Sequence, residues 1–191
     1  LPIFMKRGNR IGALILNPAE SDGFTFIPPR MGRRHLLHIL HVLQTSPNTQ
    51  QVHQTDLNAW LARANGMIKR RSSVFVISDF MGPSNWATEL SALGRRHDTV
   101  AARLFDPAEM NLPNAGLMLL QDSETSEQLL LDTANSKFRN QYMQLMAERE
   151  TQLATCFAQA GVDALELSTD EDMANALMRF SELRKRRVWR A

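Results

Sequence analysis

Short segments that are apolar at consecutive positions constrain the fold of this 191-residue chain more than any other feature. Three of them are strand-like, and each ends in a polar or proline-containing loop: Arg10–Asn17, Ser73–Ser78 and Thr99–Phe105. A strand without polar alternation is covered on both faces, which is typical of a parallel sheet between helices. The stretches between them carry apolar residues at helical spacing, for example Leu57, Trp60, Leu61 and Ala64. This β-α order predicts an α/β fold with a mostly parallel sheet and helices on both faces.

Four further strands are predicted from apolar runs that turn residues delimit. They lie at Gly23–Ile27, where Pro28-Pro29 ends the run, and at Gly116–Gln121, Gln128–Asp132 and Ala164–Leu167. The second and third of these flank the polar sequence Asp-Ser-Glu-Thr-Ser-Glu. This arrangement predicts a β-hairpin inserted among the β-α units.

Capping residues and apolar stripes place the helices. Thr55 or Asp56 is expected to cap one helix, a second lies near Asn85–Arg96, and a long one runs from Ser136 to Ala160. An earlier helix is predicted to face the core through Leu36, Ile39, Leu40 and Leu43. The last helix is predicted to begin at a capping box, Ser168-Thr169-Asp170-Glu171, and to bury Met173, Leu177 and Phe180.

The composition excludes secreted disulfide scaffolds, collagen-like chains and membrane-spanning segments. At 43% hydrophobic and 22% charged residues the chain is typical of a globular protein, and its length predicts a single domain over residues 1–191. Cys156 is the only cysteine and cannot form an internal disulfide, which favours a reducing compartment. No apolar run approaches the ~20 residues that cross a bilayer, and the first residues do not resemble a cleavable signal.

Charge is distributed unevenly along the chain. The formal net charge of +2 combines a basic segment (1–71), an acidic segment (72–183) and a basic tail. The tail contains Arg184, Lys185, Arg186, Arg187 and Arg190. Cations gathered in this way can bind phosphates, but they are also common in the last turn of a helix, where the macrodipole favours positive charge.

One bacterial family shares the order and spacing of several of these segments. The stretch Arg96–Pro107 (RHDTVAARLFDP), followed by Glu109, Leu112-Pro113 and Asp122–Thr125, resembles the family called domain of unknown function 58, which is von Willebrand factor A-like. Agreement extends from about Gly8 to Phe180 and includes Arg10–Gly12, Pro28–Arg30, Thr55–Leu57 and Ile77–Phe80. Two departures lie in loops, Ala108 in place of a basic residue and Ser126 in place of a glycine.

The resemblance implies a von Willebrand factor A-like, Rossmann-like fold with a metal-ion-dependent adhesion site at the carboxyl ends of the strands. Such a site combines an Asp-x-Ser-x-Ser loop, a threonine and an aspartate, and Thr55 and Asp79 match the last two. No Asp-x-Ser-x-Ser sequence occurs in the chain. Mg²⁺ prefers a nearly octahedral set of oxygen ligands. The resemblance therefore implies Mg²⁺ for a full-length protein, whereas Thr55 and Asp79 alone are expected to bind it poorly.

The family's first strand and its loop are also missing from the sequence, so the chain is interpreted as an N-terminally truncated copy. In this fold that strand is central, between the strands at Arg10–Asn17 and Ser73–Ser78. Either those two strands pair directly or something else fills the gap, because buried backbone groups need partners. Leu1–Met5 is short and contains Pro2, which makes it a poor substitute. Unpaired strand edges also predict a homo-oligomer.

The leading hypothesis for function is a non-enzymatic interaction module. The resemblance implies an adaptor for MoxR-type AAA+ ATPases in the bacterial cytoplasm, or at the cytoplasmic face of the membrane if a preceding part carries membrane helices. Contacts with the partner are expected from loops at the strands' carboxyl ends, through Phe80, Met81, Asp106 and Glu109. The sequence has no nucleophile elbow, phosphate-binding loop or His-Glu-x-x-His motif, so neither catalysis nor a small-molecule substrate is expected.

Nucleic-acid binding through the basic tail and Lys69-Arg70-Arg71 is the alternative, and it predicts an affinity that falls steeply with salt. Other polar residues have simpler roles. Thr55 and Asp79 can serve as ordinary caps, and Arg103 is expected to pair with a neighbouring acid such as Asp106 or Glu109. A solvated helix face is expected for three histidines, His35, His38 and His41.

Overall fold

The computed structural model describes residues 8–17, 20, 23–45, 56–121 and 128–188, and within these it leaves out the side chains of 84, 120–121 and 185–188. The chain divides into two compact units. One contains residues 1–54 with 121–127, and the other contains residues 55–120 with 128–191. The single domain over 1–191 stays a prediction.

The first unit contains an antiparallel ribbon of β1 (Ile11–Leu16) and β2 (Phe24–Arg30), followed by helix α1 (Arg33–Thr45). The prediction that Pro28-Pro29 ends the second strand is wrong, because β2 continues through both prolines. The pairing shifts register there, from Ile11↔Arg30 to Ala13↔Ile27. Proline lacks a backbone donor, and such an irregularity in a two-stranded ribbon is where its missing hydrogen bond is tolerated. Gly12 permits the close approach, since a Cβ there would lie 2.8 Å from the Ile27 carbonyl oxygen.

The apolar stripe predicted for α1 is only partly covered. Ile39 is buried and Leu36 is half-buried, but Leu40 and Leu43 are exposed, so the prediction that all four face a core is wrong. A ribbon of two strands has too little apolar surface to cover a whole helix face. His35 also departs from the predicted solvated face, because its Nε2 donates a hydrogen bond to the Ile11 carbonyl oxygen at 2.8 Å.

The second unit is built on a parallel sheet with strand order β3-β4-β7. The three strands are β3 (Ser73–Ser78), β4 (Asp98–Phe105) and β7 (Asp163–Ser168). This confirms the predicted parallel sheet, although only three strands of the described residues belong to it. The prediction that Arg10–Asn17 is a strand of a parallel sheet is wrong, because β1 pairs antiparallel with β2. Among the described strands β3 pairs with β4 alone and is an edge strand.

Helices pack on both faces of this sheet, as predicted. The prediction that β3 is itself covered on both faces is wrong, because Phe75 and Ile77 are exposed. One face packs against α2 (Leu57–Met67), a 3₁₀ turn (Ser84–Trp86), α3 (Ala87–Arg96) and a long helix that begins at Ser136. The short helix α4 (Pro107–Met110) and the predicted hairpin, β5 (Leu117–Gln121) with β6 (Gln128–Asp132), precede that long helix, α5 (Ser136–Ala160). The opposite face packs against α6 (Met173–Val188). No helix of the described residues is long and apolar enough to cross a membrane.

The main core lies on the α2/α3/α5 face. Trp86, Leu90 and Leu93 have no exposed surface there, and they pack with Val76 and Ala101 from the sheet. Val100 and Ala102 of the central strand β4 point the other way, towards Leu165, Leu167 and Ala176. Strand β4 is therefore buried on both sides, which explains why its sequence has no polar alternation.

Two predictions about α6 are wrong. Its cap is Asp172, whose Oδ1 accepts hydrogen bonds from the backbone N–H groups of Ala174 and Asn175, at 2.8 and 3.1 Å; the Ser168 hydroxyl instead binds Asp170. The helix also buries Ala176, and the predicted Phe180 is half-buried against the same cluster, whereas Met173 and Leu177 are exposed. A small residue at the contact lets the helix backbone approach the sheet closely, which leaves longer neighbours at the rim.

Candidate functional site

The site centres on the loop that follows β3, named here the β3 loop (residues 79–81). Its middle residue, Phe80, has a φ of +55°, in the left-handed region that residues with a bulky side chain rarely adopt. The phenyl ring is 1% exposed, and its centroid lies 5.0 Å from the ring centroids of both Trp86 and Phe157. Packing in the main core therefore holds this backbone conformation.

Hydrogen bonds fix the rest of the β3 loop. The Phe80 N–H donates to the Ser78 hydroxyl oxygen at 3.1 Å, and the Met81 N–H donates to Asp79 Oδ1 at 3.0 Å. The Arg149 guanidinium on α5 donates to the Met81 carbonyl oxygen. Asp79 thus has the local capping role that the sequence also allowed. Its side chain and that of Met81 remain exposed, the latter to 40%.

A second loop lies at the same end of the sheet, after β4. Asp106 caps α4 by accepting a hydrogen bond from the Ala108 N–H at 2.9 Å, and the Tyr142 hydroxyl donates to the Glu109 carbonyl oxygen at 2.6 Å. Burial and the charge of Glu109 raise the pKa of Tyr142, and Arg149 opposes them in part. The tyrosine therefore stays a neutral hydrogen-bond donor at neutral pH, and the Glu109 carboxylate is exposed.

The carboxyl edge of the sheet, where β3, β4 and β7 end, brings most of the predicted contact residues together. Asp79, Met81, Asp106 and Glu109 all lie on the two loops at this edge. Phe80 does not fit the prediction of a partner contact, because its ring is buried in the core. Its position explains the geometry of the loop instead.

Arg103 is a buried cation next to this edge, and its partners differ from those predicted. Its guanidinium makes two hydrogen bonds to the Glu150 carboxylate on α5, at 2.6 and 2.5 Å, and lies 3.6 Å from Glu166. Pairing with Asp106 or Glu109 is therefore wrong. The Glu150 hydrogen bonds raise the pKa of Arg103 further above its usual range, and the charges of Glu166 and Asp79 add to this effect. The sequence contains no local signal for a partner 47 residues away.

The metal prediction can be followed only at Asp79 in the described residues. Thr55 lies outside the described residues. Asp79 offers one carboxylate, and one of its oxygens already accepts the Met81 N–H, with the Arg103 cation among the charges near it. No group of three or more His, Cys, Asp or Glu side chains suited to a metal occurs in the described ranges. One carboxylate supplies fewer oxygen ligands than Mg²⁺ needs.

Ion pairs hold one residue of the basic tail, Arg184, against the sheet. Arg184 forms ion pairs with Asp98 and, through Nε at 2.7 Å, with Asp163. Burial acts to lower the pKa of Arg184, but hydrogen bonds and charge from the two aspartates outweigh it and raise the pKa. Lys185, Arg186 and Arg187 belong to α6, with side chains that are not described, and Arg190 lies outside the described residues.

Fold and site together define an α/β protein whose parallel sheet is covered by helices on both faces and whose carboxyl edge carries two fixed loops. The chain belongs to the family described as protein of unknown function DUF58, which matches residues 3–152. The resemblance in the sequence is therefore confirmed at the level of the family.

Proteins of similar sequence align with most of the chain. An uncharacterized protein of Mycobacterium tuberculosis strain H37Rv is 33% identical over 181 residues, which are 94% of this chain and 55% of that protein. An uncharacterized protein of Mycobacterium avium is 30% identical over 162 residues, 85% of this chain and 95% of that protein. The chain thus spans about half the length of the first relative.

A solved structure is also similar, the crystal structure of the conserved hypothetical protein BatB from Bacteroides thetaiotaomicron. The TM-score is 0.49 with 12% sequence identity, over 92% of this chain and 78% of that one.

Proposed function

We propose that the chain is a non-enzymatic protein-interaction module with a von Willebrand factor A-like fold, and that it works as an adaptor for a MoxR-type AAA+ ATPase. The fold assignment is supported by the parallel sheet with helices on both faces. The class of partner comes from the sequence resemblance. The contact surface is the carboxyl edge of the sheet.

The observation that carries this proposal is the β3 loop. A left-handed backbone at a phenylalanine costs about 1 kcal/mol or more, and it persists only because the core holds the ring. The result is a rigid loop with Asp79 and Met81 exposed on either side of a buried anchor. A loop fixed before binding loses little entropy in a complex, which favours recognition of a protein partner.

Charge defines the complementary surface on the partner. The carboxyl edge carries exposed acids at the ends of all three strands: Asp79, Glu109, Asp170 and Asp172. A basic surface on the ATPase would match this edge, and electrostatic attraction would speed association and lose strength with salt.

We also propose that this chain binds Mg²⁺ poorly by itself. Asp79 is held by the Met81 N–H and lies near the Arg103 guanidinium, so a divalent ion there would meet a cation and too few oxygen ligands. Calorimetric titration with MgCl₂ is expected to give no affinity in the micromolar range. A micromolar dissociation constant that Asp79→Asn abolishes would contradict this proposal.

Asp79→Ala tests the interaction surface. Loss of the carboxylate removes both the exposed charge and the acceptor for the Met81 N–H, so we expect the Kd for a purified MoxR-type ATPase to rise by about tenfold or more. Biolayer interferometry with the immobilised full chain measures this change. Asp79→Asn keeps an acceptor oxygen for the loop, so its Kd separates the effect of charge from that of loop geometry.

Glu182→Ala is the matched control, because Glu182 is an exposed acid on α6, which packs on the opposite face of the sheet. Its Kd is expected to stay within twofold of the wild-type value, about the scatter of a surface substitution. Equal binding by wild type, Asp79→Ala and Asp79→Asn would contradict a role for the β3 loop.

A further inference from the structure

Three basic segments that are distant in sequence meet at the amino edge of the sheet, where β3, β4 and β7 begin. Lys69, Arg70 and Arg71 lie in the connection that leads into β3, and all three are exposed. Arg95 and Arg96 form the last turn of α3, directly before β4, and are also exposed. Strand pairing sets these segments side by side, since Ser73 is in register with Asp98.

Further contacts tie the first two segments together. The Arg96 guanidinium donates to the carbonyl oxygens of Asn65 and Ile68, at 2.9 and 3.3 Å, and the Asp98 N–H donates to the Ser72 carbonyl oxygen at 2.9 Å. The end of α3 is therefore fixed against the chain that carries Lys69–Arg71. Two separate cation runs form one surface.

Arg184 brings the third segment to the same place. Its ion pairs with Asp98 and Asp163 join the C-terminal part of α6 to the first residue of β4 and the first residue of β7. The helix continues to Val188, so the backbone of residues 185–187, which are Lys-Arg-Arg, lies at the amino edge as well. The charge of Arg184 is itself paired with the two aspartates.

Helix dipoles alone do not account for this much positive charge. Four helices end at this edge, and each C-terminus is equivalent to roughly −0.5 charge. The three segments contain nine Lys and Arg residues, against two aspartates that Arg184 neutralises in part. A strong excess of positive charge remains, while the opposite, carboxyl edge is acidic. This unit is therefore positively charged at the amino edge of the sheet and negatively charged at the carboxyl edge.

We propose that the amino edge binds the phosphate backbone of a nucleic acid. Four of the five cations that are described as exposed there are arginines, whose planar guanidinium forms paired hydrogen bonds with phosphate oxygens. Neither 69–71 nor 95–96 contains an apolar residue that could insert into a membrane. The acidic carboxyl edge repels phosphates, so it restricts binding to the amino edge and leaves the β3 loop open.

Fluorescence anisotropy with the full chain and a short labelled DNA duplex of random sequence tests the proposal. The affinity is expected to fall about tenfold to a thousandfold between about 50 and 200 mM salt, as for a protein that contacts a few phosphates. Arg70→Glu and Arg95→Glu are each expected to raise the Kd about tenfold and to reduce the salt slope by about 1. Both side chains are exposed, and no described ion pair depends on them.

Lys137→Glu is the matched control, since it changes the net charge by the same amount. Lys137 lies in the first turn of α5, and the 25 residues of that helix place it roughly 35 Å from the amino edge. The Kd of this variant for the duplex is expected to stay within about twofold of wild type, because the charge at residue 137 lies several Debye lengths from the amino edge.

Three results would overturn the proposal: no binding of the duplex at low salt, an equal loss in Lys137→Glu and Arg70→Glu, or tighter binding to vesicles of anionic phospholipid than to the duplex. The outcome is separable from that of the adaptor proposal. Arg70→Glu leaves the β3 loop intact, so binding to the ATPase tests one edge of the sheet and binding to DNA tests the other.

Discussion

Arg103→Met is expected to lower the free energy of unfolding by about 3 kcal/mol, the lower end of the cost typical of breaking a buried ion pair by removing one partner. The Arg103 side chain is 4% exposed, and it is the cation for the Glu150 carboxylate at 2.5 Å. Methionine retains the volume of the stem but leaves Glu150 uncompensated. The Glu150 side chain is 34% exposed, so water relieves part of the cost and keeps it near the lower end of the range for buried pairs.

Equilibrium unfolding in urea measures this change, and the double variant Arg103→Met/Glu150→Met tests its cause. Once both charges are gone no buried charge is left unpaired, so the double variant is expected to be within about 1 kcal/mol of wild type. Arg179→Ala is the control, because its ion pair with Glu171 is exposed and is worth at most about 1 kcal/mol. A double variant as unstable as Arg103→Met would show that the cost comes from lost packing and not from the unpaired carboxylate.

The Arg103 pair illustrates what local sequence cannot supply. A cation inside an apolar strand requires an acid, and the sequence alone indicated that much. Asp106 and Glu109 are near in sequence, but β4 runs on to Phe105 before the chain turns, so they follow the strand end. The actual partner, Glu150, comes from the helix that crosses above the sheet. Its choice depends on helix packing, which no pattern within a short window encodes.

Predictions succeeded where one local feature dominated. Strand β3 lies at Ser73–Ser78 as predicted, because a run of β-branched and apolar residues leaves no alternative. Gly161 ends α5 in the left-handed conformation at φ 66°, because glycine is the only residue type that adopts it without steric cost. The prediction of the start of α6 failed because Ser168 and Asp172 are both good capping residues. Since Ser168 is still the last residue of β7, the helix begins later and Asp172 caps it.

The candidate site was only partly accessible from the sequence. Asp79 was found through the family resemblance, and Met81, Asp106 and Glu109 follow from the rule that ligands of parallel sheets meet at the strands' carboxyl ends. The backbone at Phe80 could not be foreseen, since a phenylalanine gives no signal for positive φ. Its conformation depends on two aromatic rings from other elements, Trp86 and Phe157. The convergence at the amino edge likewise required the Arg184 ion pairs.

Phe80→Ala is expected to lower the free energy of unfolding by about 3–5 kcal/mol, the usual cost of emptying a buried phenylalanine site. The ring is 1% exposed and contacts Trp86 and Phe157 at 5.0 Å between centroids, so its removal leaves a cavity lined by rigid aromatics. Binding of the ATPase is expected to weaken as well, because Asp79 and Met81 lose the anchor between them.

Phe80→Gly distinguishes the two roles of this residue. Glycine leaves at least as large a cavity, but it adopts φ +55° without the steric cost of about 1 kcal/mol that alanine bears. The glycine variant is therefore expected to be more stable than the alanine variant by roughly that amount. At Val76, a buried position in β3 with ordinary strand geometry, the order should reverse, with Val76→Gly less stable than Val76→Ala by roughly 0.5–1 kcal/mol. Urea unfolding of the four variants provides the comparison, and the same order at both positions would contradict a left-handed backbone at Phe80.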